Sequence, residues 1–384
     1  MRVLFVDDEV RVLEALGRVL FDLEPAWQTD FASSASEAFT HLAKEPYDVV
    51  VSDLRMSGLD GVALLTRVRE KYPRTVRIVL SGHSDEEAAL KMVRVAHQYL
   101  AKPCAAETLH RIISRIEQLT TMLGDRKLQG IVGHVASLPS TPHLHRELSA
   151  LFERDEASAP AVAAIIKQDP AMTSKLLQVA GSAFFNSSTS VIDVETAIMR
   201  LGLRTLRNLS LGFGVFECAA HADLSPTTSV EAMQRRSLAI AHTAAGMAKL
   251  PEDASAAYLA GLLCDVGQLV LASAAPERLY VTQAEAAKAG SPAHVAEAST
   301  WGATHAEIGA YLLGLWGLPF QIVEAVANHH APARHTDGRV GLPQLVWLAA
   351  CVVDGEQPDV EAVHRFGVEE LHETSRRAFD EGKR

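Results

Sequence analysis

Four stretches within residues 1–102 place an apolar, largely β-branched run directly before a residue that can carry chemistry. Val3-Leu4-Phe5-Val6 leads to Asp7-Asp8, Val49-Val50-Val51-Ser52 to Asp53, Val76-Arg77-Ile78-Val79-Leu80 to Ser81, and Gln98-Tyr99-Leu100-Ala101 to Lys102. Continuous rather than alternating runs, separated by helical stretches, imply a parallel sheet buried on both faces. In such open sheets functional groups gather at the carboxyl ends of the strands. The expected fold of this part is an α/β doubly wound, five-stranded parallel sheet with all these residues at one edge.

The residue types define a chemistry for that edge. Three carboxylates held close together repel by roughly 4 kcal/mol per pair at an effective surface dielectric, so they are tolerated mainly around a cation. Oxygen ligands in a small site suit Mg²⁺. A neutralised carboxylate can then attack a phosphoryl donor while an ammonium and a hydroxyl hold the equatorial oxygens of the transferred group. Asp53 is assigned as the nucleophile, with Ser81 and Lys102 as the holding groups.

VDDE, VVSDLRMSGLDG, LSGH and YLAKP, in that order, resemble the CheY-like receiver domain of two-component response regulators over about residues 1–122. That resemblance implies a flavodoxin-like fold in which Asp7 and Asp8 organise Mg²⁺, Asp53 accepts phosphate and Arg55 lends a backbone carbonyl to the metal. Ser81 and Lys102 contact the phosphoryl group, and Tyr99 matches the aromatic switch position. It also implies a sensor histidine kinase or phosphotransfer protein as partner. Ser57 departs from the pattern, which usually has proline after Met56; the expectation is a looser turn with no effect on the chemistry.

A length of 384 residues exceeds what one core normally fills, and 48% hydrophobic content supplies more than one. The net charge of −11 argues against a general nucleic-acid or anionic-membrane partner. Arg200, Arg204 and Arg207 share a helix face by spacing, read as a solvated face rather than a groove binder. Cys104, Cys218, Cys264 and Cys351 show no paired spacing, as in a reduced, cytoplasmic protein. The chain opens on a strand pattern with no apolar leader, and residues such as Asp265 interrupt its longest apolar runs before a membrane span is reached. Neither export nor anchoring is expected.

Leu109, Ile112, Ile116, Leu119 and Leu123 recur at three and four residues, which predicts a helix with one apolar seam. This helix begins a connector over 105–130 that overlaps the end of the first domain. The domain boundary falls at the polar stretch Asp125 to Gln129, bracketed by Gly124 and Gly130. From residue 131 the β signal nearly disappears. Asp169-Pro170 reads as an N-cap followed by proline at the first helical position, and Asp193 starts a second helix that ends at Gly202. Further helices are expected over 229–249, 253–272, 303–315, 319–329 and, in the tail, 368–379.

LPSTP, IIKQDPAMTSKLLQVAGSAFF and VIDVETAIMRLGLRTLRNLSL resemble the HDOD domain, an all-α, HD-like helical bundle related to the HD phosphohydrolases, over residues 131–332, with a C-terminal helical extension over 333–384. Gly181 stands where the family commonly has asparagine. Against the metal-binding pattern of catalytic HD domains, His242 matches the first histidine, Cys264-Asp265 replaces the His-Asp pair, and His305, His329 and His330 match later positions. Cys351 replaces the late aspartate, and Ala331-Pro332-Ala333-Arg334 lacks the glycine-tyrosine-proline signature of HD-GYP phosphodiesterases. Two thiols at hard-ligand positions point to a degenerate, packed cluster without catalysis and with no cofactor.

The resulting expectation is a phosphorylation-gated regulator, not an enzyme, whose helical domain acts on an unidentified protein partner or by self-association as a homodimer. Trp316 to Phe320 and Leu342 to Trp347 are read chiefly as packed core. The alternatives are a metal-dependent phosphodiesterase acting on a substrate such as a cyclic dinucleotide, using His242, Asp265, His305, His329 and His330, and a nucleotide-sensing module without turnover. DNA binding is not expected, because no basic recognition helix follows the first domain.

Overall fold

We describe the chain from a computed structural model, in residues 1–24, 26–82, 93–122, 126–154, 156–182, 193–212, 217–218, 229–332 and 340–382. Strands β1 (Arg2–Val6), β2 (Gln28–Ala32), β3 (Val49–Asp53), β4 (Val76–Gly82) and β5 (Gln98–Lys102) form one parallel sheet in the order β2-β1-β3-β4-β5. The order reverses between β1 and β3, and this crevice is where ligands of open α/β sheets bind. The register aligns the chemical ends: Val6 lies opposite Ser52, Asp53 opposite Leu80, and Gly82 opposite Lys102. All five residues of β3 are buried, as its unbroken apolar run requires.

Side-chain caps fix where the following helices start. Ser34 accepts from the Glu37 N–H at the head of the helix Ala35–Lys44, and Asp60 accepts from the Ala63 N–H at the head of Gly61–Lys71. Gly61 folds tightly beneath the end of β3; a Cβ there would stand 2.2 Å from the Asp53 carbonyl oxygen, which only glycine avoids. Residues 83–92, between β4 and β5, lie outside the described residues.

The connector contains the helices Ala106–Met122 and Arg126–His134. Its buried seam runs through Leu109, Ile113, Ile116 and Leu119, with Ile112 only half-buried. Leu123, Gly124 and Asp125 lie outside the described residues, and Gly130 sits inside the second helix rather than at a break.

Helices dominate the rest, among them Pro170–Ala180, Val230–Met247, His305–Leu315, Phe320–Asn328, Leu342–Asp354 and Glu369–Gly382. The helix starting after Asp193 continues past Gly202 to Arg207, with a kink where Gly202 takes φ 75° and ψ 153°. The expected helix over 253–272 is two, Pro251–Leu263 and Val266–Ala274, meeting at Cys264-Asp265. A two-residue parallel bridge pairs β6 (Pro139–Ser140) with β7 (Glu217–Cys218).

The buried acid Asp169 ties two of the sequence motifs together. One oxygen caps the Met172 N–H at 2.9 Å; the other accepts from Ser140 Oγ at 2.6 Å, the Thr141 N–H at 3.0 Å and Thr141 Oγ1 at 3.3 Å. The run Asp253–Ala274 is long and apolar enough to cross a membrane by length and composition, a case the interruption at Asp265 did not foresee. It is 78% buried inside the helical domain, the environment of a core helix.

Candidate functional site

At the carboxyl edge of the sheet, Asp7, Asp8 and Asp53 bring carboxylate oxygens within 4.8 Å of one another. Lys102 Nζ lies 2.7 Å from Asp7 Oδ2 and 3.0 Å from Asp53 Oδ1, joining the two sides of the crevice. Burial of Asp53 outweighs the lysine and raises its carboxyl above the ordinary carboxylate value, with Asp7 adding to the shift. Burial alone would lower Lys102, but its contacts with both carboxylates prevail and raise it. Ser81 is buried beside them at the end of β4, its hydroxyl turned to the Gly82 carbonyl at 3.3 Å. Arg55 is exposed in the loop after β3. Tyr99 is already inside, 3% exposed, with its hydroxyl donating to the Ala96 carbonyl at 2.8 Å.

Ser57 corrects one expectation. Its N–H and its hydroxyl both donate to Asp8 Oδ2, at 2.8 and 2.9 Å, and these bonds lower the Asp8 carboxyl. Proline would supply neither donor, so this substitution touches the acidic site directly.

In the helical domain, Cys264, Asp265, His305, His329 and His330 come together, whereas His242 does not. Asp265 is 3% exposed, and Arg236 forms a short ion pair with its Oδ2. The same guanidinium holds Asp354 through Nε at 3.0 Å and Nη2 at 2.8 Å. Arg236 and His242 share the helix Val230–Met247 but stand six residues apart, about 240° around it. With Arg236 turned inward, His242 points outward, exposed and edge-on to Tyr258 with centroids 5.2 Å apart. Cys351 is buried near the Arg236–Asp354 pair, where burial first and then Glu356 and Asp354 push its thiol up to about 12.

His305 Nδ1 lies 2.6 Å from Glu297 Oε2, an oxygen that also accepts the His305 backbone N–H at 2.7 Å. His305 Nε2 lies 3.2 Å from Asp265 Oδ1 and 3.0 Å from His330 Nε2. Against burial, which lowers it, Glu297 and Asp265 raise His305 to about 10. His329 Nδ1 lies 2.8 Å from the Val326 carbonyl, and burial followed by the His305 charge takes His329 down to about 3. Burial, with Asp265 next, keeps Cys264 a thiol. Backbone proximity brings these groups together: a Cβ on Gly267 would stand 1.9 Å from the His305 carbonyl oxygen.

Residues 138–332, about half of the chain, match the HDOD domain, and residues 3–114 match the response regulator receiver domain. The chain is an HDOD-family response regulator. The MmoQ response regulator of Methylococcus capsulatus is similar at 25% identity and TM-score 0.51, over 62% of this chain and 97% of that one. An uncharacterized protein of Treponema pallidum is 29% identical over 59% of this chain and 45% of its own length. The hydrogenase transcriptional regulatory protein HoxA of Cupriavidus necator is 38% identical over 32% of this chain and 25% of its own. The chain thus spans less than half the length of these curated relatives.

A receiver domain implies a phosphodonor kinase as partner and typically binds Mg²⁺. The regulator's donor set fits that ion: three clustered carboxylates, hard oxygen ligands, with Lys102 offsetting only part of their charge. Asp7, Asp8, Asp53 and the Arg55 carbonyl are the groups that would hold it.

The regulator's two domains meet through side chains that sequence reading passed over. Lys175, 2% exposed on the helix Pro170–Ala180, donates to the Val93 carbonyl at 2.6 Å and the Ala136 carbonyl at 2.7 Å and lies 4.9 Å from the Trp316 ring centroid. One turn on, Gln178 Nε2 donates to the His97 carbonyl at 3.1 Å. Arg115 donates to the Leu318 carbonyl, and buried Arg77 donates from β4 to the Gly133 carbonyl at 2.8 Å. Arg236, Asp354 and Glu297 were likewise unassigned. A lone basic residue within a helical motif, Lys175 in DPAMTSKLL, was the available signal for the first of these.

Proposed function

We propose that Asp53 is a phosphoacceptor whose modification is relayed through the domain junction to an HDOD domain that works by protein contact rather than turnover. The Asp53–Lys102–Asp7 contact supports the first half. A carboxylate raised by burial, beside a lysine able to follow the incoming phosphoryl oxygens, suits attack on a phosphodonor from a histidine kinase or phosphotransfer protein. Bound Mg²⁺ supplies charge neutralisation to the transferred group. Ser81 and Lys102 contact the phosphoryl oxygens, drawing Lys102 from Asp7 and the β4 end toward Asp53.

The relay runs along β5 and its approach. Val93 and His97, in the segment leading into β5, present their carbonyls to Lys175 and Gln178 of the HDOD domain, so displacement of that segment acts directly on the helix Pro170–Ala180. To move such an equilibrium from mostly resting to mostly active, phosphate must favour one state by about 5 kcal/mol.

The non-catalytic reading rests on Arg236. The aspartate remaining from the His-Asp position is engaged by a guanidinium, and both replacing cysteines are held as thiols. A cytoplasmic regulator with a protein partner or a second copy of itself as target fits this arrangement. Intact mass after acetyl phosphate treatment, with Asp53→Ala as control, tests the acceptor; partner capture and oligomeric state in both proteins test the output. An unshifted wild-type mass refutes the acceptor assignment. Hydrolysis of a cyclic dinucleotide that is lost in His305→Ala favours the phosphodiesterase alternative instead.

A further inference from the structure

A cavity of about 250 Å³ lies where the receiver meets the helical domain. Gln98 and Tyr99 of β5, Arg111 and Arg115 of the helix Ala106–Met122, Gln178 of Pro170–Ala180 and Trp316 wall it. Arg111 and Arg115 stand four residues apart, so their side chains leave the same helix face. None of the described residues lining the cavity is acidic, which singles it out in a chain of net charge −11. Neither guanidinium pairs with a carboxylate among the described residues.

A cation taken out of water without a counter-charge is costly. Arg115 is in that position: it is partly buried, donates through Nη2 to the Leu318 carbonyl, and keeps its Nε buried with no hydrogen bond. Burial lowers its pKa and no acid raises it. On the helical-domain wall, Gln178 is 1% exposed, and its Nε2 donates to the His97 carbonyl at 3.1 Å. A carbonyl only accepts, so this bond fixes which way the amide faces and leaves Oε1 buried without a donor. The cavity therefore offers unpaired positive charge from the receiver side and an orphaned acceptor from the other.

A ligand that answers both is an oxyanion that also brings a hydrogen. Free phosphate keeps at least one hydrogen near neutral pH, whereas sulfate and carboxylates keep none. The volume lies below that of pockets for drug-sized ligands, which leaves out a nucleotide. We infer that the cavity binds a small phosphate, free or as a hydroxyl-bearing monoester, with Arg111 and Arg115 holding its charged oxygens and Gln178 Oε1 accepting its hydrogen. Cations of the receiver side and an amide of the helical domain then close on one ion, so occupancy ties the two domains together in this arrangement. Binding here needs no modification of Asp53.

Calorimetric titration of the full chain tests the site at fixed ionic strength, without Mg²⁺ so that the receiver carboxylates repel added anions. Inorganic phosphate, glycerol phosphate and sulfate are compared. Phosphate or glycerol phosphate should bind at about one site per chain, the tighter of the two identifying the source, with sulfate weaker by about tenfold or more for want of the hydrogen. Arg111→Gln, at an exposed position, should weaken phosphate by about tenfold or more through loss of a charge-assisted bond. Arg146→Gln, exposed on the helix Pro142–Glu153, removes the same charge elsewhere and should bind as the wild type does. Wild-type protein that titrates neither phosphate nor its monoester overturns the site. So does equal affinity for phosphate and sulfate, the mark of an adventitious ion only, or an equal effect of Arg111→Gln and Arg146→Gln.

Discussion

Replacing Lys175 by methionine tests whether the domain junction is held by one buried cation. The change keeps a long, flexible side chain of similar volume, so the loss is one of charge and donors rather than of packing. Two carbonyls, Val93 at 2.6 Å and Ala136 at 2.7 Å, lose their ammonium donor. An unsatisfied buried acceptor costs about 1–3 kcal/mol. The contact with Trp316, 4.9 Å to the centroid, contributes up to about 2 kcal/mol when desolvated. Against these stands relief from holding an ammonium at 2% exposure, a penalty of several kcal/mol. The net expectation is about 2–3 kcal/mol of destabilisation, or about 5–10 °C in melting temperature for a domain of this size. Hydrogen exchange across Pro170–Ala180, with and without acetyl phosphate, reads the coupling: phosphorylation should change exchange in the wild type and leave Lys175→Met unchanged. A variant that melts with the wild type and keeps the phosphate-dependent exchange refutes the junction as described.

Asp169→Ala removes the helix cap and three further hydrogen bonds to a buried carboxylate, and should cost about 3–5 kcal/mol in chemical denaturation; a loss below about 1 kcal/mol contradicts the cap's role. Arg236→Met strands Asp265 and Asp354 without their cation and should destabilise by about 3–5 kcal/mol, with partial recovery on adding Asp265→Asn; no recovery in thermal melts removes the ion pair as the cause. Ser57→Ala takes one donor from Asp8, whose lowered carboxyl should return toward its ordinary value. Mg²⁺ binding, present above that pKa and lost as pH falls through it, should then fail at a higher pH than in the wild type. Calorimetric titrations carried down through the ordinary carboxylate range, to below about pH 4, would show it, and coincident acid limbs would count against it.

The receiver edge was legible because its information is local. Each apolar run sets a strand, the residue after it lies at the strand's end, and parallel order alone brings Asp7, Asp53, Ser81 and Lys102 to one side. Ser57 shows the limit even there: its sequence neighbours suggest a turn, and only the folded loop puts both of its donors on Asp8, 49 positions away. In the helical domain the Asp169 cap was readable from Asp-Pro, but its bonds to Ser140 and Thr141 were not.

Sequence alone determined the α/β sheet, its acidic edge, the change to an all-helical second half and most helix positions, since period and capping act over a few residues. Tertiary structure decided which face of each helix looks inward. It turned Arg236 toward Asp265 and His242 toward solvent, gathered His305, His329 and His330 with Asp265, and set Lys175 against the receiver. Those outcomes depend on how helices distant in sequence rotate and cross, a matter of close packing at contacts such as Gly267 against the His305 backbone, which no local pattern encodes.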